Sequence, residues 1–141
     1  LSSRAALQLS SGKLLANEQF SGGGAATARG FDENTILGDE GFALSNEILS
    51  PVHRKPLPFL SKSRAPLESR ALLFFDAVHA SLKHAYAFDR PLLPLASVGV
   101  GLRMSLPNNF ALTADYGWQV SRLAPSIERD TRAHVKLVLA Y

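Results

Sequence analysis

Arg29 is the residue whose neighbours most need a chemical explanation. It follows a run of small residues that ends at Ala28, and Gly30 and Phe31 come directly after it. A buried guanidinium needs a carboxylate partner because burial removes its hydration, and a carboxylate that accepts both arms of the fork also fixes its direction. Gly30 would let the chain turn sharply without a Cβ clash, and Phe31 would anchor the loop by burial. The sequence by itself therefore indicates tight backbone geometry around Arg29 and leaves two interpretations of its side chain open, a paired arginine and an ordinary solvated loop arginine.

No catalytic constellation accompanies this loop. The four histidines share no metal-ligand spacing, and no serine lies in a nucleophile turn of the GxSxG type. The glycines 22–24 are not followed by the lysine and hydroxyl residue of a phosphate-binding loop. Asp76 and Glu47 could imitate a carboxylate pair, but no other catalytic group accompanies them. We therefore expect a protein that is not an enzyme and that uses no metal, nucleotide or other cofactor.

The composition is that of a folded chain and limits the classes of partner. The 141 residues are 46% hydrophobic, and 15 basic against 12 acidic residues give a net charge of +3. This charge is too mild and too dispersed to predict binding to nucleic acid. The chain has no cysteine and no run of about 18 apolar residues that would form a membrane helix. A membrane-spanning strand needs only about 10 residues of alternating character, so that class stays open.

Period-two alternation dominates the second half of the chain and predicts strands. Between Ser97 and Leu106 every even position is apolar and every odd position is small or polar. Similar alternation predicts about six antiparallel strands in all, over residues 5–10, 42–48, 71–80, 97–106, 110–120 and 134–141. By this parity Asp76 and Glu47 both face inward, while large apolar and aromatic residues cover the opposite face.

The connections and the two faces leave two classes of β protein open. The connection between residues 106 and 110 is very short, whereas those at 81–96 and 121–132 are long, as is typical of outer-membrane barrels. The proline-rich linker 50–70 lies at the short-turn end and is longer than that habit predicts. Small and polar residues suit a wet channel, and aromatic residues near strand ends suit a membrane interface. A soluble antiparallel sheet with one dry face is the alternative.

The order and spacing of residues 7–51 carry a resemblance to a known family. The matching features are, in order, Leu14-Leu15, Glu18-Gln19-Phe20, Gly22-Gly23, Arg29-Gly30-Phe31, Gly38-Asp39, Gly41, Asn46-Glu47 and Pro51. Together they resemble the barrel region of two-partner secretion transporters, outer-membrane proteins of the Omp85 superfamily that export haemolysins and filamentous adhesins. The resemblance extends over nearly the whole chain.

This resemblance implies a specific site for Arg29. In the family the arginine lies at the tip of an extracellular loop that folds back into the barrel and pairs with an acidic residue of the inner wall. The wall pattern has phenylalanine, aspartate and glycine at alternate positions, and it matches here at Phe74 and Asp76. Asp76 is therefore the expected partner of Arg29. Glu47 also faces inward by parity and is a second candidate acceptor.

Two departures from the family pattern bear on how the loop is seated. Val78 stands where the wall pattern has glycine, and Ala28 stands where valine usually precedes the arginine. Since Val78 faces inward beside Asp76, its bulk is expected to crowd the returning loop.

The resemblance also implies the rest of the molecule. The family has a sixteen-strand barrel behind two periplasmic POTRA domains, and it ends in an aromatic residue that the barrel-assembly machinery recognises. Residues 1–141 would then be the C-terminal part of one all-β antiparallel transmembrane barrel, with the POTRA domains and the first strands absent. Tyr141, with Leu139 and Leu137, would be the assembly signal. The implied location is the bacterial outer membrane, and the implied partners are its lipid, the assembly machinery and a secreted exoprotein.

Three functions are compatible with these observations. The first is transport of a haemolysin- or adhesin-type exoprotein through a β-barrel pore, with the loop 17–41 as plug or gate. The second is an assembly factor of the same superfamily that inserts other barrels, although the Gly38-Asp39 and Asn46-Glu47 elements favour secretion. The third is a soluble antiparallel β domain that binds ligands, which predicts solubility without detergent.

Overall fold

The computed structural model describes residues 1–56, 66–83, 93–107, 110–122 and 129–139. Within these ranges all regular structure is β. The strands are β1 (Ser2–Gln8), β2 (Phe20–Gly22), β3 (Ile36–Gly38), β4 (Glu40–Leu49), β5 (His53–Lys55), β6 (Leu67–Ser81), β7 (Leu95–Leu106), β8 (Phe110–Gln119) and β9 (Thr131–Leu139). Among the described residues, no helix has the length and apolar character needed to cross a membrane.

The six long strands form one antiparallel sheet in the order β1-β4-β6-β7-β8-β9, which we call the main sheet. This confirms the six strands and the all-β antiparallel class predicted from alternation. Strand β6 begins at Leu67, earlier than the predicted start at residue 71, because β5 pairs with its first residues and extends the ladder. Part of the proline-rich linker is therefore a short β-hairpin strand.

The two faces of the main sheet differ as the alternation predicts. The inner face, defined as the face that carries Asp76, also carries Glu47, Ser97 and Asp115. The outer face exposes large apolar side chains from successive strands, namely Leu7, Phe42, Ile48, Leu73, Phe75, Val98, Val100, Leu102, Tyr116, Trp118, Val135, Leu137 and Leu139. Tyr116 and Trp118 stack edge to face there, with ring centroids 4.9 Å apart.

The hydrophobic core lies between the inner face and the β1–β4 loop (residues 9–39). Its members come from both sides of that contact and are Phe20, Ala28, Phe31, Ile36, Ala43, Val78, Ala80 and Leu95. This arrangement explains why β6 is apolar on both faces, since one face is exposed and the other lies under the loop. The hairpin β2–β3 forms a separate small sheet within the loop.

Two predictions fall at the edge of the described structure. Tyr141, the predicted assembly signal, lies outside the described residues. Leu137 and Leu139 are described, and both point outward from β9, where they are 56% and 69% exposed. The short connection after β7 is described only at Pro107, and the register Leu106↔Phe110 closes it.

Candidate functional site

The tip of the β1–β4 loop is a tight turn that rests on the inner face. The amide of Phe31 donates to the carbonyl of Ala28 at 3.0 Å, which closes a turn with Arg29 and Gly30 at its centre. Phe31 and Ala28 are both fully buried. Burial of an aromatic side chain in the core stabilises this seating by roughly 1.5–3 kcal/mol, so Phe31 holds the turn against the sheet.

Gly30 allows close approach rather than an unusual backbone angle. Its φ is not positive, unlike those of Gly23 and Gly24, so the turn does not need glycine for conformational reasons. A Cβ on Gly30 would lie 2.8 Å from Cβ of Ser97 and 3.1 Å from the backbone carbon of Trp118. The glycine expected to avoid a clash within the turn therefore avoids one with strands β7 and β8.

The guanidinium of Arg29 is paired with two carboxylates of the inner face. Its Nε lies 2.8 Å from Oδ2 of Asp76 and its Nη2 lies 2.9 Å from Oδ1, so the contact is bidentate. Its Nη1 lies 2.7 Å from Oε1 of Glu47. Ser45 donates to Oδ1 of Asp76 at 2.7 Å and accepts from Nη2 of Arg29 at 3.2 Å. The structure thus brings together three of the residues singled out from the sequence, on β4, β6 and the loop.

The ionic cluster of Arg29, Asp76 and Glu47 is largely buried, so the stability of the site depends on the pairing of its charges. The side chains of Arg29 and Asp76 are 4% and 1% exposed, while that of Glu47 is 17% exposed. The guanidinium carbon also lies 3.7 Å from the centroid of the Phe74 ring, in cation–π contact. An unpaired charge at this depth would be strongly destabilising, so Arg29 and Asp76 require each other.

Strands β8 and β9 hold the backbone of the same turn from the other side. The side chain of Gln119 donates to the carbonyl of Gly30 at 3.0 Å, and Nε2 of His134 donates to the carbonyl of Arg29 at 3.0 Å. Arg132 pairs with Asp32 at 2.8 Å near the surface. Strands β4 and β6 therefore hold the tip by ion pairs with the side chain of Arg29. Strands β8 and β9 hold it by hydrogen bonds from their side chains to the backbone carbonyls of the turn.

A second arginine extends the ionic network along the inner face. Arg103 on β7 contacts both oxygens of Asp115 on β8, at 2.7 and 3.0 Å. Asp115 also lies 3.8 Å from Nη1 of Arg29, and Arg103 lies 3.8 Å from Glu47. Arg29 and Arg103 therefore share three carboxylates that are buried or half-buried, those of Asp76, Glu47 and Asp115.

The base of the loop has a separate polar anchor at Asp39. Its Oδ1 accepts from the amide of Leu14 at 2.8 Å and from the side chain of Gln19 at 3.1 Å, and its Oδ2 accepts from the amide of Lys83 at 2.7 Å. The hydrogen bond from the Leu14 amide is the largest cause of a lowered pKa for the Asp39 carboxyl, with Gln19 and the Lys83 amide acting in the same direction against burial. Asp39 thus joins both limbs of the loop to the end of β6.

The two departures from the family pattern are accommodated. Val78 is buried, and it faces the loop at Gly22, where an added Cβ would lie 2.6 Å from Cγ1 of the valine. The crowding expected of Val78 is absent because the loop backbone approaches it at a residue without a side chain. Ala28 is fully buried in the same core.

Several residues of the site were not singled out from the sequence. Parity puts Ser45, Asp115, Gln119 and His134 on the inner face, and that was the available signal. Which of them meets the turn depends on strand register, which parity does not give. Asp39 belonged to a recognised motif, but two of its three donors are backbone amides, which carry no sequence signal.

Comparison with protein-family models identifies a family that covers most of the chain. The model described as haemolysin secretion/activation protein ShlB/FhaC/HecB matches residues 1–104, which include the loop, Glu47 and Asp76. Comparisons with curated proteins and with solved structures found no match.

Proposed function

The chain belongs to the haemolysin secretion/activation protein family ShlB/FhaC/HecB, a family of two-partner secretion transporters in the Omp85 superfamily, and from this premise we propose that it exports a partner exoprotein through an outer-membrane barrel. In this proposal the loop 17–41 is the plug of the pore. The inner wall holds the plug at Arg29, and release of that contact opens the path.

The bidentate contact between Arg29 and Asp76 carries this proposal. It joins a loop tip to a strand 47 residues further along the chain, and it lies beneath a loop that covers the inner face. A contact that closes such a loop over a channel wall is suited to holding a plug in one position.

The chemistry of the contact also suits a plug that must be released. A buried ion pair fixes geometry but adds little net stability compared with apolar packing, because both charges lose their hydration. When the tip leaves, water can rehydrate Arg29, Asp76 and Glu47. The pair therefore sets the closed position without making it irreversible.

The surroundings proposed for the chain follow the same scheme. The apolar outer face would contact outer-membrane lipid, as the lipid-facing band of a barrel does. The end of the chain, with Leu137, Leu139 and Tyr141, would be read by the barrel-assembly machinery. The translocated partner would be a secreted haemolysin- or adhesin-type protein, and the proposed location is the bacterial outer membrane.

The two alternative functions are less well supported. An assembly factor of the same superfamily would share the fold, but the matched family is a secretion family. A soluble ligand-binding domain would have to keep the apolar outer face in water, and a patch that spans six strands is unusual for a soluble monomer.

A charge-reversal series tests the proposal. Arg29→Glu, Asp76→Arg and the double exchange are made in the full-length transporter, and export of the cognate partner and outer-membrane levels of the transporter are measured. Both single variants are expected to lose export of the partner while the transporter still reaches the outer membrane. Each variant sets like charges against each other in a buried site, so the plug no longer takes its set position. The double exchange is expected to restore part of it.

Arg132→Glu is the matched control for this series. Arg132 also pairs with an acidic loop residue, Asp32, but both side chains are exposed, at 41% and 70%. Exposed pairs contribute about 0–1 kcal/mol, so export should be nearly unchanged. Normal export by both buried-site variants would show that Arg29 does not hold a plug.

A further inference from the structure

Three cations and a threonine form one continuous row across the inner face. Arg70 on β6 lies directly opposite Arg103 on β7, which lies opposite Thr113 on β8, which lies opposite Lys136 on β9. We call these four residues the basic row. It lies six residues from Asp76 along β6, or about 20 Å at the rise of a strand, toward the short β7–β8 connection.

This arrangement is unfavourable for the sheet by itself. Like charges directly opposite each other on neighbouring strands are destabilising, and Arg70 and Arg103 are such a pair. Within the described part of the chain, Arg103 is the one member of the row with a carboxylate in close contact, that of Asp115 at 2.7 Å. The nearby Glu68 is paired with Arg54 at 2.8 Å. The row therefore carries more positive charge than its surroundings neutralise.

Two members of the row have unused capacity for an anion. Among the described residues, neither Arg70 nor Lys136 makes an ion pair or a hydrogen bond through its side chain. The Nε of Arg70 is shielded from solvent and has no hydrogen-bond partner. A buried donor without a partner is costly, and an anionic group would remove that cost.

The row faces open space rather than packed protein. A cavity of about 340 Å³ is lined by Arg70, Arg103 and Thr113, and also by Glu68, whose carboxylate is paired with Arg54. A second cavity of about 590 Å³ is lined by Arg103, Thr113 and Lys136, and it extends to Arg29 at the loop tip, where the paired carboxylates of Glu47 and Asp115 also line it. A ligand on the row could therefore approach the plug from the short-turn side.

We propose that the basic row binds carboxylate groups of an extended, acidic polypeptide segment before it passes the plug. The inference rests on the proposed export function and names a substrate chemistry for it. Rings of basic side chains select anions in pores. Arg70 and Lys136 are separated by three strand spacings, about 14 Å, whereas alternate side chains of an extended chain stand about 7 Å apart. The row thus matches two or more carboxylates on one chain better than a single small anion.

Current block in planar bilayers tests this inference with the full-length transporter. Decaglutamate is added on the side of the short turns, and the half-blocking concentration is measured for the wild type and for the double variant Arg70→Gln/Lys136→Gln. Decaglutamine and inorganic phosphate are the matched probes. Arg103 is left unchanged because Asp115 depends on it. Lys55→Gln, which removes an exposed cation from β5, is the control variant.

Decaglutamate should block the wild type and the control variant at the same concentration. The half-blocking concentration for the double variant should be higher by about tenfold or more. Block is read on inserted channels, so a variant that assembles poorly still gives a value. An unchanged half-blocking concentration in the double variant would overturn the inference. Equal block by phosphate at the same charge concentration would also overturn it, since the row would then bind any small anion.

The export assay separates this inference from the proposed function. Exchange of the charges of Arg29 and Asp76 could restore export while decaglutamate blocks the Arg70→Gln/Lys136→Gln variant as well as it blocks the wild type. In that case the proposed binding of carboxylates by the basic row is wrong and the export function stands. Alternatively, the charge reversals at Arg29 and Asp76 could leave export unchanged while block by decaglutamate depends on Arg70 and Lys136. In that case the proposed plug is wrong and the binding of an acidic polypeptide by the basic row stands.

Discussion

The two anchors of the β1–β4 loop hold it by different chemistry. At the tip, Arg29 pairs with the side chains of Asp76 and Glu47 on the sheet. At the base, Asp39 accepts hydrogen bonds from the backbone amides of Leu14 and Lys83. Both anchors bury a charge, but ion pairs between side chains hold the tip, whereas two backbone amides and the side chain of Gln19 hold the base.

This difference indicates which end of the loop is easier to release. The tip can open by rotation of side chains, after which water solvates each charge. At the base, rotation of the Asp39 side chain would leave two backbone amides without an acceptor, so release of the base requires local unfolding of the chain around it. The comparison therefore predicts a loop whose tip moves while its base stays attached.

Removal of the tip charge is expected to have the largest effect. Arg29→Ala leaves Asp76 buried without its partner, and loss of one member of a buried pair costs about 3–5 kcal/mol. Hydrogen exchange on the full-length transporter should show lost protection at Phe31, while the amides of Leu14 and Lys83 stay protected. Arg132→Ala, which removes an exposed loop contact, is the control. Equal loss of protection at the base would mean that the anchors are not independent.

Removal of the base carboxylate should give the reverse pattern. Asp39→Ala removes the acceptor of both amides, so exchange at Leu14 and Lys83 should accelerate by roughly tenfold. Protection of Phe31 at the tip should change less. Asp39→Asn is the matched variant, because its one oxygen can take only one of the two carboxylate positions, and the position that faces Leu14 satisfies two donors, Leu14 and Gln19, against one at Lys83. Faster exchange at Leu14 than at Lys83 in that variant would contradict the geometry.

Acid should weaken the base of the loop within a defined window. The lowered pKa of Asp39, caused first by the Leu14 amide, means that the ionised carboxyl stabilises the folded base. This contribution is complete above the ordinary pKa of about 4 and is lost as the pH falls through the lower folded pKa. Protection factors at Lys83 should be equal at pH 7 and pH 5 and should fall below about pH 4. A decline between pH 7 and pH 5 would exclude Asp39 as its cause.

The tip and the base also differ in how far the sequence reveals them. Alternation placed Asp76 and Glu47 on one face, and the family resemblance joined Asp76 to Arg29, because both signals are carried by side-chain identity. The Asp39 anchor could not be inferred, since amides of Leu14 and Lys83 look like those of any other residue.

Strand register was the second limit on prediction. The contact between Arg103 and Asp115 and the alignment of Arg70 with Lys136 depend on pairings across three ladders. A shift of one residue in any ladder would move those side chains to the other face. Parity along one strand therefore predicts which residues face inward but not which ones meet.

The smallest effect is expected at the second acceptor of the tip. Glu47→Gln removes a charge from a side chain that is 17% exposed, while Arg29 keeps both contacts to Asp76. The glutamine carbonyl can still accept from Nη1, so the free energy of unfolding should fall by only about 1 kcal/mol, the difference between a hydrogen bond to a charged acceptor and one to a neutral acceptor. Exchange at Phe31 should rise only slightly, whereas Asp76→Asn, which removes the charge of the main partner, should release the tip. If Glu47→Gln released the tip as fully as Asp76→Asn, the two carboxylates would act as one unit, and the distinction between a main and a second acceptor would be wrong.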